Sequence, residues 1–227
     1  MISTHPLDNP VWESLRGRHS SLGVLGVETA RYAPEVAPFA ACRLPGRLAA
    51  RELQTLVHEG ETVLFVGPSP APADGWRCEE PVPIAQMVCA APIEAIDGPA
   101  ITELSAAQLG DMLALTALVY PHYFRPRTPT MGRYIGIYID GALAAMAGER
   151  MGFDGYQEIS AVCTHPDHTG RGHAQRLVTE LSNASFATGR MPFLHVSTQN
   201  TRAKALYARL GYVQRIDIAL SSARRLA

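Results

Sequence analysis

Cysteine is scarce in this chain and follows no spacing rule: Cys42, Cys78, Cys89 and Cys163 are four among 227 residues, and no two form a CxxC pair. That scatter argues against a disulfide framework or a thiolate metal site. Three of the four lie in or beside apolar runs, where a thiol is simply a small hydrophobe. No metal is expected. An excess of charge of one sign is also missing: 20 Lys and Arg against 21 Asp and Glu leave a formal net charge of −1. The balance gives no electrostatic reason to expect nucleic acid or an anionic membrane as partner. No apolar run approaches the roughly 18 residues that a membrane helix requires. Met1–Pro10 lacks the charged-then-apolar order of a secretion signal. The expectation is a cytoplasmic protein in a reducing compartment.

What is present is 47% hydrophobic residues in a chain long enough to bury a real core. The first part is punctuated by proline. Val11–His19 reads as a short helix behind Pro10, and Leu48–Val57 carries apolar residues at helical spacing. Thr62–Val66 reads as a buried strand stopped by Gly67-Pro68, Pro68–Gly75 as a loop, and Ile84–Ala90 as another strand. Residues 1–95 group no acids, bases and nucleophiles. They read as an α+β scaffold or oligomerisation region, a degenerate half-domain, with a homodimer as the assembly to look for.

The turn Ile96-Asp97-Gly98-Pro99 opens a clearer region, 96–227. Ala100–Leu104 is strand-like, Ser105 an N-cap, and Leu109–Val119 an amphipathic helix that must end before Pro121. Tyr134–Ile139 and Ala142–Ala147 flank Asp140-Gly141, a strong hairpin signal, and Tyr156–Thr164 follows as a third strand. A helix from Ala174 to about Thr188 stops at Gly189. Phe193–Ser197, a helix over Thr201–Leu210 stopped by Gly211, and a strand over Tyr212–Leu220 complete the order. This is a mixed α/β layer architecture.

Two junctions carry chemistry. In Cys163–Ala174 a strand runs through a glycine-containing loop into a helix, whose first N–H groups lack partners and favour an anion such as a pyrophosphate. Two glycines alone do not identify a nucleotide site. The Walker pattern fails because His173-Ala174 stands where Lys-Ser/Thr is needed. The dinucleotide fingerprint fails because only two glycines are present, at the wrong place in the chain. In the second junction, Ser197–Tyr212, Asn200 is placed to cap a helix whose Ala203, Leu206, Tyr207 and Leu210 share one face. A buried Tyr207 needs a partner for its hydroxyl.

Together these segments resemble the GNAT superfamily of N-acetyltransferases. The cofactor loop Arg/Gln-x-x-Gly-x-Gly/Ala is matched by Thr169-x-x-Gly172-x-Ala174. The motif Asn-x-x-Ala-x-x-Leu-Tyr-x-x-x-Gly-Phe/Tyr is met at Asn200, Ala203, Leu206, Tyr207, Gly211 and Tyr212. The likeness covers about Ala100 to Leu220. Gly141–Met151 and Glu158–His165, with Asn9–Trp12 and Pro38-Phe39, look like the branch related to the C-terminal half of glycine N-acyltransferases.

The resemblance implies a mainly antiparallel sheet with helices on both faces, and acetyl-CoA as co-substrate. It implies that Val162, Cys163 and Thr164 pair with the pantetheine arm as an added strand would. The pyrophosphate would rest on the amides of Gly170, Arg171, Gly172, His173, Ala174 and Gln175. Thr169 replaces the usual Arg or Gln, which shifts the expected contact from side chain to backbone. Asn200 would hold the cofactor, and Tyr207 would protonate the departing sulfur, whose thiol has a pKa of about 8.5. The expected reaction is direct attack of a primary amine, with Glu158 or Glu149 as base. Cys163 is not expected as a nucleophile, since no histidine–acid pairing accompanies it. Tyr120–Met131 would wall the acceptor site, where Tyr123, Arg125 and Arg127 are candidates to hold a small amine or an amino acid by its carboxylate. A non-catalytic acyl-CoA sensor and transfer of a longer acyl group are the alternatives.

Overall fold

The computed structural model describes residues 5–71, 73–121 and 123–227; Met1–Thr4, Pro72 of the Pro68–Gly75 loop and His122 of the Tyr120–Met131 loop lie outside the described residues. The chain begins with helix α1 (Pro10–Leu15), strands β1 (Gly23–Leu25), β2 (Thr29–Tyr32) and β3 (Ala40–Cys42), then helix α2 (Arg47–Leu56). Strands β4 (Thr62–Val66), β5 (Trp76–Cys78), β6 (Val82–Cys89) and β7 (Thr102–Glu103) precede helix α3 (Leu109–Val119). Then come β8 (Tyr134–Ile139), β9 (Ala142–Phe153), β10 (Tyr156–Thr164), helix α4 (His173–Ala187), β11 (Met191–Ser197), helix α5 (Thr201–Arg209) and β12 (Tyr212–Arg225).

Strands β1 to β3 form a small antiparallel sheet. The others form one large sheet in the order β4-β12-β6-β11-β10-β9-β8-β7, with β5 pairing β12. Among the described strand pairs of this sheet β10 and β11 run parallel and the others antiparallel. The architecture is thus a mixed α/β fold dominated by antiparallel pairing. Asp140 and Gly141 both take positive φ (50° and 81°) between β8 and β9, the geometry a two-residue hairpin demands.

Alternation along the strands feeds two cores. On one face Phe153 and Phe193 meet Val11, Trp12 and Leu15 of α1, while Tyr134 and Met146 meet Met112 and Leu115 of α3. On the other, Ile135, Ile137, Ala145 and Leu194 pack on Leu177, Val178 and Leu181 of α4, and Leu210 joins them. Helices therefore cover both faces.

Sequence pattern predicted the elements of 96–227 within a few residues, but it did not anticipate where residues 1–95 go. β6 lies between β11 and β12, pairing Phe193–Ser197 on one side and Tyr212–Leu220 on the other, and β4 borders β12. A boundary at 95/96 therefore cuts through the large sheet rather than between two bodies.

Candidate active site

The site forms where two neighbouring strands part. β10 pairs β11 only through Tyr156, Gln157 and Glu158, opposite Met191 to Phe193. Beyond Glu158, β11 continues against β6 while β10 continues against β9. A bulge between Ser160 and Cys163 adds one residue to β10 relative to β9, and Ala161 there has φ 49°. A non-glycine residue in that region is strained, and a bulge bends its strand away from its neighbour. The outcome is a wedge-shaped gap edged by Ile159–Cys163.

Two clefts share this gap. One, of about 370 Å³, is lined by Thr164, His168–Gln175, Arg202 and Arg209; the other, of about 300 Å³, by Phe39, Tyr120, Tyr123, Phe124, Tyr134, Arg150, Ser160–Cys163, His195 and Ser197. Val119, Val162, Asn200, Ala203 and Tyr207 line both.

The chemistry of the first cleft suits an anion. Helix α4 starts behind Gly172, which lies in the left-handed region (φ 78°), as does Gly170 (φ 77°). Glycine at the N-cap supplies no side-chain acceptor, so the first amides of α4 stay free to face the cleft. The Thr169 hydroxyl is turned to the Pro166 carbonyl (3.1 Å) and Arg171 donates to the Asp167 carbonyl (3.1 Å). His173 is buried, its Nε2 has no partner among the described residues, and burial holds its pKa below the ordinary value. Arg202 and Arg209, seven residues apart on α5, add positive charge that sequence reading missed; their spacing on one helical face was the available signal.

At the junction, Asn200 caps α5 by accepting from the Ala203 amide (3.0 Å). Tyr207 is 8% exposed, and burial raises its pKa above the ordinary value, which keeps the phenol protonated. Burial also pushes the Cys163 thiol up to about 12, so it is no thiolate.

In the second cleft the residues differ from those expected. Tyr123 is in the lining, but Arg125 and Arg127 are not: Arg127 pairs with Glu35 at the surface (2.8 Å), and the Arg125 amide donates to Thr128 Oγ1 (2.7 Å). Loop position alone did not reveal which way these side chains leave the chain. Glu149 and Glu158 are absent from the described lining of either cleft. Glu149 accepts from the Arg133 amide (3.1 Å). Glu158 is fully buried and takes two hydrogen bonds from Arg150 (2.7 and 2.6 Å). Burial alone would raise its pKa, but the charge and hydrogen bonds of Arg150 and the bond from His195 hold it well below the ordinary carboxylate range. A carboxylate so held is a poor proton acceptor.

Arg150 and His195 face the cleft instead. Both interrupt apolar strand runs, a signal of a buried polar role that went unused. Gln86 fixes the tautomer of His195. Its Oε1 accepts from Arg215 (2.6 Å), so its amide nitrogen must donate both to the Leu7 carbonyl (2.8 Å) and to His195 Nε2 (3.0 Å). His195 Nδ1 then carries the proton and donates to Glu158 (2.8 Å).

Comparison with known proteins agrees with this geometry. The family model for FR47-like proteins matches residues 134–219. A GNAT-family protein from Novosphingobium aromaticivorans is 35% identical over 98% of this chain and 100% of its own, with a TM-score of 0.90. A GCN5-related N-acetyltransferase from Kribbella flavida superposes with a TM-score of 0.62 over 95% of this chain and 93% of its own, at 17% identity. A GCN5-related N-acetyltransferase-like protein from Streptococcus suis gives 0.54 over 93% and 92%, at 16% identity. These last two likenesses are of fold. No curated protein sequence matches the chain.

Proposed function

The chain belongs to the GNAT family, a family of acyltransferases, and on that premise we propose that it moves an acetyl group from acetyl-CoA to a small primary amine in the cytoplasm. The observation that carries the reading is the meeting of an anion-binding cleft and an aromatic cleft at Tyr207. The diphosphate rests on the α4 amides, and Arg202 and Arg209 balance phosphate charge. The unpaired edge of β10 at Val162–Thr164 takes the pantetheine arm, with Asn200 beside it.

The neutral amine attacks the thioester carbonyl from the second cleft. Its nitrogen–carbon bond forms, the carbon–sulfur bond breaks, and sulfur leaves with the electron pair. Tyr207 donates a hydrogen bond to that sulfur as charge develops. Because burial raises the phenol well above a thiol of about 8.5, hydrogen bonding comes first and full proton transfer is completed late. The proton lost by the amine passes to water in the cleft, since Glu149 and Glu158 do not face it. Within the family the chain falls in the branch related to the C-terminal half of glycine N-acyltransferases, a reading supported by Gly141–Met151 and Glu158–His165.

Thermal unfolding with acetyl-CoA tests the donor: saturation raises Tm through binding to the folded state, and no shift at millimolar concentration overturns the reading. Tyr207→Phe is expected to lower kcat by about tenfold to a thousandfold with acetyl-CoA affinity retained. An unchanged kcat removes Tyr207 from the mechanism. Thiol release across an amine panel separates an enzyme from an acyl-CoA sensor. Competition with longer acyl-CoAs reports the acyl length.

A further inference from the structure

Besides Tyr207, two hydrogen-bond donors of the second cleft have no partner among the described residues, and no acid is in the described lining. Tyr134 is 2% exposed and lines the cleft, and among the described residues its hydroxyl has no hydrogen-bond partner. Its place is built in. Tyr134 pairs with Gly148 across β8 and β9, and a Cβ at Gly148 would come within 2.2 Å of the ring. A buried hydroxyl left unpaired is costly, and the cost falls when a ligand completes it.

Arg150 is the second donor. Nε and Nη2 are spent on Glu158, while among the described residues Nη1 has no partner. The guanidinium lies over the Phe39 ring at 4.7 Å, which together with Glu158 fixes its plane. No Asp or Glu appears in the described lining, whose remainder is largely aromatic and aliphatic. A fixed cation and a phenol, both donors, in an apolar cleft of about 300 Å³ recognise an oxygen anion on an apolar body.

We propose that Arg150 Nη1 and the Tyr134 hydroxyl bind the carboxylate of the acceptor, so that the acceptor is a free amino acid with an apolar side chain. This rests on the acetyltransferase reading above. Arg150 bridges two carboxylates, Glu158 on one edge and the ligand on the other. Its charge disfavours an ammonium nearby, so the amine lies toward Tyr207 in its neutral, nucleophilic form. Phe39, Tyr120, Tyr123 and Phe124 wall the side chain.

The test uses the full chain with acetyl-CoA and two sets of acceptors, the common amino acids and their carboxamides, in parent and Tyr134→Phe proteins. The substitution removes a group with no partner, so the fold is not at stake and Tm is expected unchanged or higher. In the parent, free acids of the apolar set exceed their amides in kcat/KM by about tenfold or more, since the amide cannot replace a charge-assisted bond. In Tyr134→Phe that preference shrinks about tenfold through KM for the acids. Equal use of acids and amides, or a preference that survives Tyr134→Phe, overturns the proposal while acetyl-CoA binding and amine turnover leave the enzyme reading standing. With succinyl-CoA as donor in a parallel assay, a Tyr134→Phe loss confined to succinyl-CoA also overturns it, because the carboxylate then belongs to the acyl donor. Failure of acetyl-CoA to raise Tm sinks both.

Discussion

Glu158 holds two residues of the cleft wall, Arg150 and His195, from behind. Its carboxylate takes two bonds from Arg150 and one from His195, in a position with no solvent exposure. A buried ion pair is weak evidence for stability as a whole, but removing one partner strands the other's charge. Glu158→Gln keeps the volume and part of the hydrogen bonding, yet leaves Arg150 without its counter-charge. The expected cost is about 3 kcal/mol, read as a lower urea midpoint with unchanged slope. A variant as stable as its parent would show that the pair contributes nothing to folding. Sequence alone put Glu158 forward as a base because a glutamate in a strand beside a cofactor loop fits that role. What it lacked was Arg150, eight residues earlier on the adjacent strand, whose pairing turns the carboxylate away from proton transfer.

At the scale of elements, the loop before α4 works through backbone geometry. Gly172 has φ 78°, and a Cβ there would meet nothing nearer than Gln175 Oε1 at 3.8 Å, so its requirement is conformational rather than steric. Gly60, also at φ 78° with open space around it, lies in the turn between α2 and β4 and serves as a matched control. Gly172→Ala and Gly60→Ala should each cost about 1 kcal/mol of stability from left-handed strain. Only Gly172→Ala should reduce the Tm rise produced by acetyl-CoA, because the relaxed backbone re-aims the α4 amides. Equal responses of the two variants would show that the amides do not hold the ligand. Such elements were legible because their signals are local: Asp140-Gly141 sets a hairpin, Asn200 caps α5, and Gly189 ends α4. The insertion of β6 was not legible. Its partners Phe193–Ser197 and Tyr212–Leu220 lie more than a hundred residues away, and an apolar run such as Ile84–Ala90 carries no mark of which edge it will join. The small sheet β1–β3 escaped for a related reason, since its strands have three or four residues, too few to show a period.

Across the whole molecule, the N-terminal third is joined to the sheet by buried and half-buried polar contacts as well as apolar ones. The Leu7 carbonyl meets Gln86, Asp8 pairs with Arg215, and Ser14 Oγ donates to the Gly152 carbonyl (3.1 Å). Next to Ser14 sits His19, 5% exposed, with Nδ1 at 3.0 Å from Ser14 Oγ and 2.9 Å from the Tyr32 hydroxyl. Burial lowers its pKa to about 4, with the charge of nearby Arg18 adding to that and the Met131 backbone and Glu158 opposing it. The unfolded chain titrates this imidazole near the ordinary value of about 6.5. Above that pH neither state is protonated, and the neutral buried ring contributes its full stability. As pH falls from about 6.5 toward 4, the unfolded state takes up a proton that the folded state refuses. Stability then drops by up to about 1.4 kcal/mol per pH unit. Urea unfolding between pH 6.5 and 5, above most carboxylate titrations, should show this slope, and His19→Gln should reduce it, His173 supplying a smaller slope of the same sign. If parent and variant keep parallel slopes, His19 is not the group that couples the N-terminal third to pH, and the buried contacts around Ser14 hold regardless of its charge.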